Sequence, residues 1–240
     1  MFFPLFHINE VPLDCLQRCL EQCFRKWGLP RTIKADHGRP FGDPQTTSVP
    51  ELSLWFIGLG IKPEWTRIAC PRDNATVERL QRTTALWSEP ERCCSVEQLQ
   101  KRLTQAGVVQ REKYSLRRHK SKNRKELYAS LWNNKRRYKK ENFSINKVYA
   151  FLKQVNFVRR VSKSGTFNFF NQSVYVGVAY KYQELTIRLN QKKLCWTLAG
   201  RSEEVFASFT ADNFCEKQVR SLKVSQFRVL KVTKLSVANK

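Results

Sequence analysis

The sequence predicts an α/β half followed by an all-β half, because both the hydrophobic period and the charge balance change along the chain. Up to about residue 110, apolar residues recur at spacings of three and four around short extended runs; from Phe157 the period becomes two. Residues 1–110 carry 14 Lys and Arg against 12 Asp and Glu, a net +2, whereas residues 111–240 carry 30 against 8, a net +22. With 41% hydrophobic residues in 240, the chain is long enough for one or two packed domains.

Taken in order, Met1–Glu10 (MFFPLFHINE) is apolar but short, lacks the charged start and long apolar core of a signal peptide, and reads as an exposed sheet edge. From Val11 to Trp27, Leu16, Cys19, Leu20, Cys23, Phe24 and Trp27 form the stripe of an amphipathic helix, ended by Gly28 and Pro30. Thr32, Ile33 and Ala35 make a short buried strand that delivers Asp36 and His37-Gly38 to a sheet edge. Ser48-Val49-Pro50-Glu51 has the form of a capping box and opens a helix through Leu54, Trp55 and Ile57. Residues within 61–68 suit a short strand. Asp73 or Asn74 then caps a helix that holds Glu78 in its first turns, with Asn74 and Arg82 on the same face. Ser95-Val96-Glu97-Gln98 starts a further helix ending near Gly107.

Residues 111–150 read as a basic linker, with Tyr114, Tyr128, Trp132 and Tyr138 interleaved among Arg117-Arg118, Arg136-Arg137 and Lys139-Lys140. Residues 151–210 predict five short strands, 158–161, 166–170, 173–176, 184–189 and 194–198, with Ser164-Gly165 and Asn171-Gln172 as turns and a last strand within 204–209. Five strands in this space suit a small SH3-like barrel. Residues 211–240, rich in Lys and Arg with irregular apolar spacing, read as a basic tail.

The formal charge of +24 and pI near 10.1 point to a polyanionic partner, with nucleic acid leading. A membrane is disfavoured: no stretch approaches the ~18 apolar residues of a spanning helix. Cys15, Cys19 and Cys23 stand four apart on one helix, and His7, His37 and His119 do not complete a Cys/His ligand spacing, so reduced, buried cysteines are expected.

Several motifs in order carry a resemblance. Trp27-Gly28-Leu29-Pro30, Asp36 with Gly38 and Phe41-Gly42, Leu59-Gly60-Ile61, and Pro71 to Arg79 with Asn74 and Glu78 together resemble the catalytic core of insertion-sequence transposases and retroviral integrases, the DDE members of the RNase H-like superfamily. Arg159-Arg160-Val161-Ser162, Phe169-Phe170-Asn171-Gln172 and Tyr175-Val176-Gly177 are similar to the carboxy-terminal DNA-binding module of the same transposases.

The resemblance implies a partial RNase H-like core over residues 1–110, a linker over 111–150, an SH3-like module over 151–210 and a tail over 211–240. It also implies a metal site for Mg²⁺ or Mn²⁺ in which Asp36 and Glu78 are the second and third of three catalytic, metal-ligating carboxylates. Glu10 and Asp14 do not match the first, so the chain reads as an amino-terminally truncated transposase with impaired strand transfer. Arg79 or Arg82 would contact DNA, and Asn74 would position a ligand or a phosphate. Arg117, Arg118, Arg136, Arg137, Lys139, Lys140, Arg159, Arg160 and Lys163 are the further DNA-binding candidates. The expected partners are DNA and either a second copy or a full-length transposase, in the cytoplasm at the nucleoid. Two alternatives remain open: a DNA-binding remnant without catalysis, and a basic RNA-associated protein.

Overall fold

The helix predicted from the apolar stripe is the first element of a computed structural model that describes residues 12–42, 48–116, 119–132, 134–200 and 203–234. The expected amino-terminal sheet edge and Arg117-Arg118 lie outside the described residues. The chain divides into two compact units that interleave along the sequence: residues 1–30 with 66–139, and residues 31–65 with 140–240.

In the first unit, α1 (Leu13–Trp27) buries Leu16, Cys19, Leu20 and Phe24, and its end is closed by Gly28, whose N–H donates to the Phe24 carbonyl at 2.8 Å. Gly28 has φ 78°, and a Cβ there would meet the Asn134 side chain at 2.7 Å. Residues 134–136 fix this turn: Asn134 Nδ2 donates to the Trp27 and Leu29 carbonyls, and Arg136 donates to the Pro30 carbonyl at 2.7 Å. Helix α3 (Ala75–Ser88) packs against α4 (Val96–Val108), which Ser95 caps by accepting from the Gln98 amide at 3.2 Å. A π-helical turn, Val109–Lys113, continues α4; α5 (Arg124–Leu127) and α6 (Ala129–Trp132) follow. The stretch expected as a linker therefore contains several short helical segments.

In the second unit, β1 (Thr32–Ala35) and β2 (Lys62–Trp65) pair in parallel across α2 (Glu51–Gly58). Leu52, Leu54, Trp55 and Phe56 are all buried, and so is Ser53; a helix apolar around its circumference is a core helix. Helix α2 packs on α7 (Ile145–Leu152), and the approach is close enough that a Cβ on Gly58 would overlap the Phe143 ring. The expected capping box does not form. Pro50 precedes the helix, and the Glu51 carboxylate accepts from the Ser225 amide instead.

The six strands expected between residues 157 and 210 are present within a residue or two: β3 (Phe157–Arg160), β4 (Thr166–Phe169), β5 (Gln172–Tyr175), β6 (Glu184–Asn190), β7 (Cys195–Ala199) and β8 (Val205–Thr210). They do not close into a barrel. An antiparallel sheet runs β10-β8-β7-β6-β3, with β10 at Thr233–Lys234, and a separate three-stranded sheet runs β4-β5-β9, with β9 at Arg228–Lys231. The β4–β5 hairpin takes its third strand, in parallel, from the segment expected as tail. The same segment contributes α8 (Glu216–Arg220) and the buried Phe214, Val219, Leu222 and Val224. Phe157, Phe169, Phe170, Trp196 and Phe214 form an edge-to-face aromatic core with Trp196 and Phe214 at 5.1 Å. The molecule is a mixed α/β protein with several sheets.

Candidate functional site

The turn that carries Asp36 is built from its neighbours. Strand β1 ends at Ala35, opposite Trp65 of β2, so Asp36 leaves the carboxyl end of a parallel pair, where open α/β sheets receive ligands. Its Oδ1 accepts from the Gly38 amide at 3.0 Å, and the Gly38 carbonyl accepts from the Phe41 and Gly42 amides. The Phe41 carbonyl accepts from Trp65 Nε1 at 2.9 Å and from the Ser53 hydroxyl at 3.3 Å, tying the turn to β2 and α2. Gly42 lies against the backbone of Asp36 and His37 so closely that a Cβ would stand 2.4 Å from the His37 Cα. Asp36 itself is exposed, with one carboxylate oxygen held by the turn.

Glu78 is exposed in the first turn of α3, and its amide donates to the Asn74 carbonyl. Asn74 stands at the cap position, but its side chain makes no capping bond. Asp73 is occupied upstream, accepting from the Arg67 amide and guanidinium. Among the described residues Glu78 and Arg82 form no ion pair, so both charges face solvent. Asp36 belongs to the second compact unit and Glu78 to the first.

The basic candidates separate by what they touch. Arg136 is committed to the Pro30 carbonyl, and Arg159 donates to the Asn168 and Val158 carbonyls while lying over the Phe169 ring at 5.5 Å. Arg160 is exposed and sits over Tyr182 at 5.9 Å. Arg79, Arg82, Arg137, Lys139, Lys140 and Lys163 are exposed. The charge excess, assigned by halves of the sequence to residues 111–240, is shared equally by the compact units: each holds 22 Lys and Arg against 10 Asp and Glu.

A feature that sequence reasoning missed lies in the first unit. A cleft of about 740 Å³ is lined on one side by Thr76, Arg79, Leu80, Thr83 and Trp87 of α3. Gln110, Tyr114 and Arg124 line the facing wall. The first five residues repeat at spacings of three and four, a legible helix face, but Tyr114 and Arg124 of the facing wall come from the stretch expected to be a linker.

Asp36 and Glu78 offer hard oxygen donors of the kind Mg²⁺ selects. Among the described residues, however, no three His, Cys, Asp or Glu side chains gather as a metal-holding group. No helix among the described residues is long and apolar enough to cross a membrane. A scan of the sequence against protein-family models matches none of them.

Proposed function

We propose that this chain is an integrase-like, DNA-binding protein of a mobile element in which Asp36 and Glu78 serve as two of the strand-transfer carboxylates. One observation carries the reading: β1, α2, β2 and α3 follow in order, with Asp36 on a glycine turn at the carboxyl end of β1 and Glu78 exposed in the first turn of α3. The resemblance assigns metal-ligating roles to acids at these two places in such an order. The positive excess of both units supports duplex DNA as the partner, in the cytoplasm at the nucleoid. Metal-dependent turnover, with Mg²⁺ or Mn²⁺, belongs in this proposal to an assembly in which a second copy or a longer transposase supplies the further ligands.

A DNA-binding protein without catalysis is the second reading, and it is favoured by the net +12 of each compact unit, which accounts for DNA binding without a catalytic centre. Plasmid nicking in Mg²⁺, measured beside duplex binding for the full chain, Asp36→Asn and Glu78→Gln, separates the two. Nicking that falls to background in both variants while duplex binding persists is the expected result. Mg²⁺-dependent nicking undiminished by either substitution would contradict the roles given to these acids, and no nicking by any form would favour the second reading.

A further inference from the structure

We infer that the cleft between α3 and the π-turn takes one unstacked nucleotide of a single-stranded nucleic acid. This rests on the nucleic-acid reading above and adds a site to it. The cleft volume of about 740 Å³ falls within the ~300–1,000 Å³ typical of ligand clefts.

Its chemistry is that of a nucleotide. Trp87 and Tyr114 meet with ring centroids 5.5 Å apart at 56°, a tilted pair rather than a closed stack, and Tyr114 remains 47% exposed. Such a pair gives a base an aromatic surface on which to lie. Arg124 lies over the Tyr114 ring at 5.9 Å and is held there by donating to the Gln110 carbonyl at 2.9 Å, so its guanidinium is fixed beside the aromatic surface. Arg79, exposed on the opposite wall, supplies a cation for the phosphate. No Asp or Glu is among the described residues that line the cleft.

The cleft is also locally fixed. The π-turn at Val109–Lys113 interrupts the regular helix, and the buried Gln110 side chain donates to the Thr84 hydroxyl of α3 at 3.3 Å, tying the two walls together. Turns of this kind occur often at functional sites. A concave site that offers one ring an aromatic surface edged by guanidinium groups recognises a splayed base, which a duplex keeps in its stack.

The test is fluorescence anisotropy of the full chain with a labelled oligothymidine and with a duplex of equal length, at matched salt. Tyr114→Ala is expected to weaken oligothymidine binding about tenfold, to leave duplex affinity within about twofold, and to be rescued by Tyr114→Phe. Arg124→Gln, which removes the guanidinium beside Tyr114 at a position outside the duplex-contact candidates, is expected to weaken oligothymidine binding severalfold and serves if Tyr114→Ala does not fold. Unchanged single-strand affinity in the folded variants overturns the inference. So does an equal loss for both nucleic acids, or competition by polyglutamate as effective as that by unlabelled oligothymidine. A wild-type chain that binds neither nucleic acid removes the DNA reading itself, whereas duplex binding with an unresponsive cleft removes this inference alone.

Discussion

Glu51 illustrates how a single carboxylate can be misjudged from its neighbours in sequence. Ser48 stands three residues before it, the spacing of a capping box, yet its partner is the Ser225 amide, 174 residues away. Burial pushes the Glu51 carboxyl above its ordinary value, outweighing the Ser225 amide, which pulls it down. The folded state therefore favours the protonated form, and the associated stability is present below the ordinary carboxyl range and lost as pH rises through the raised folded-state value. Glu51→Gln keeps an acceptor for the Ser225 amide and removes the charge. Chemical denaturation should find it more stable than the wild type at neutral pH, with the difference vanishing in acid; a variant less stable at neutral pH would show the charge to be well accommodated. By contrast, the Asp36 turn was legible, because Gly38 and Gly42 act within six residues of the acid and the backbone contacts that require them are local.

At the scale of elements, strands within residues 157–210 were readable because β6 alternates buried and part-exposed positions, with Leu185, Ile187 and Leu189 inside. The helix α1 was equally plain from its stripe. What the pattern hid was long-range pairing. Strand β9 has Lys and Arg at its ends and only four residues, so its parallel match to β5 leaves no periodic trace, and with it the split into two open sheets was missed. Helix α7 has one charged residue, Lys147, in eight, and it was not read because it straddles residue 150, where the linker was expected to end. The carboxy-terminal segment is nonetheless a core element: Phe214 is fully buried, 4.9 Å from Phe170 and 5.1 Å from Trp196. Phe214→Ala should cost about 3–5 kcal/mol of stability. A loss below about 1 kcal/mol in equilibrium unfolding would mean that the segment is not packed as described.

For the whole molecule, the two units share the charge that the sequence concentrates in its second half, because residues 111–139 fold with α1, α3 and α4. Each unit thus carries a net +12 into any encounter with a polyanion. Among the described residues there are ten ion pairs, all partly exposed, and four of them join residues three or four apart, such as Arg18–Asp14 and Arg220–Glu216. Cations left facing solvent in both units make counterion release the expected driving force for DNA binding. The candidate carboxylates, by comparison, were found through motif order, since two exposed acids leave no signature in composition.

The measurement that bears most directly on this account is the affinity of the full chain for duplex DNA across a salt series, taken for the wild type and for Asp36→Asn together. The account predicts affinity that falls about a thousandfold between about 50 and 200 mM salt, as for six or more phosphate contacts, with the two proteins superimposed. Weak binding that is insensitive to salt would contradict it, as would an Asp36→Asn variant whose duplex affinity collapses.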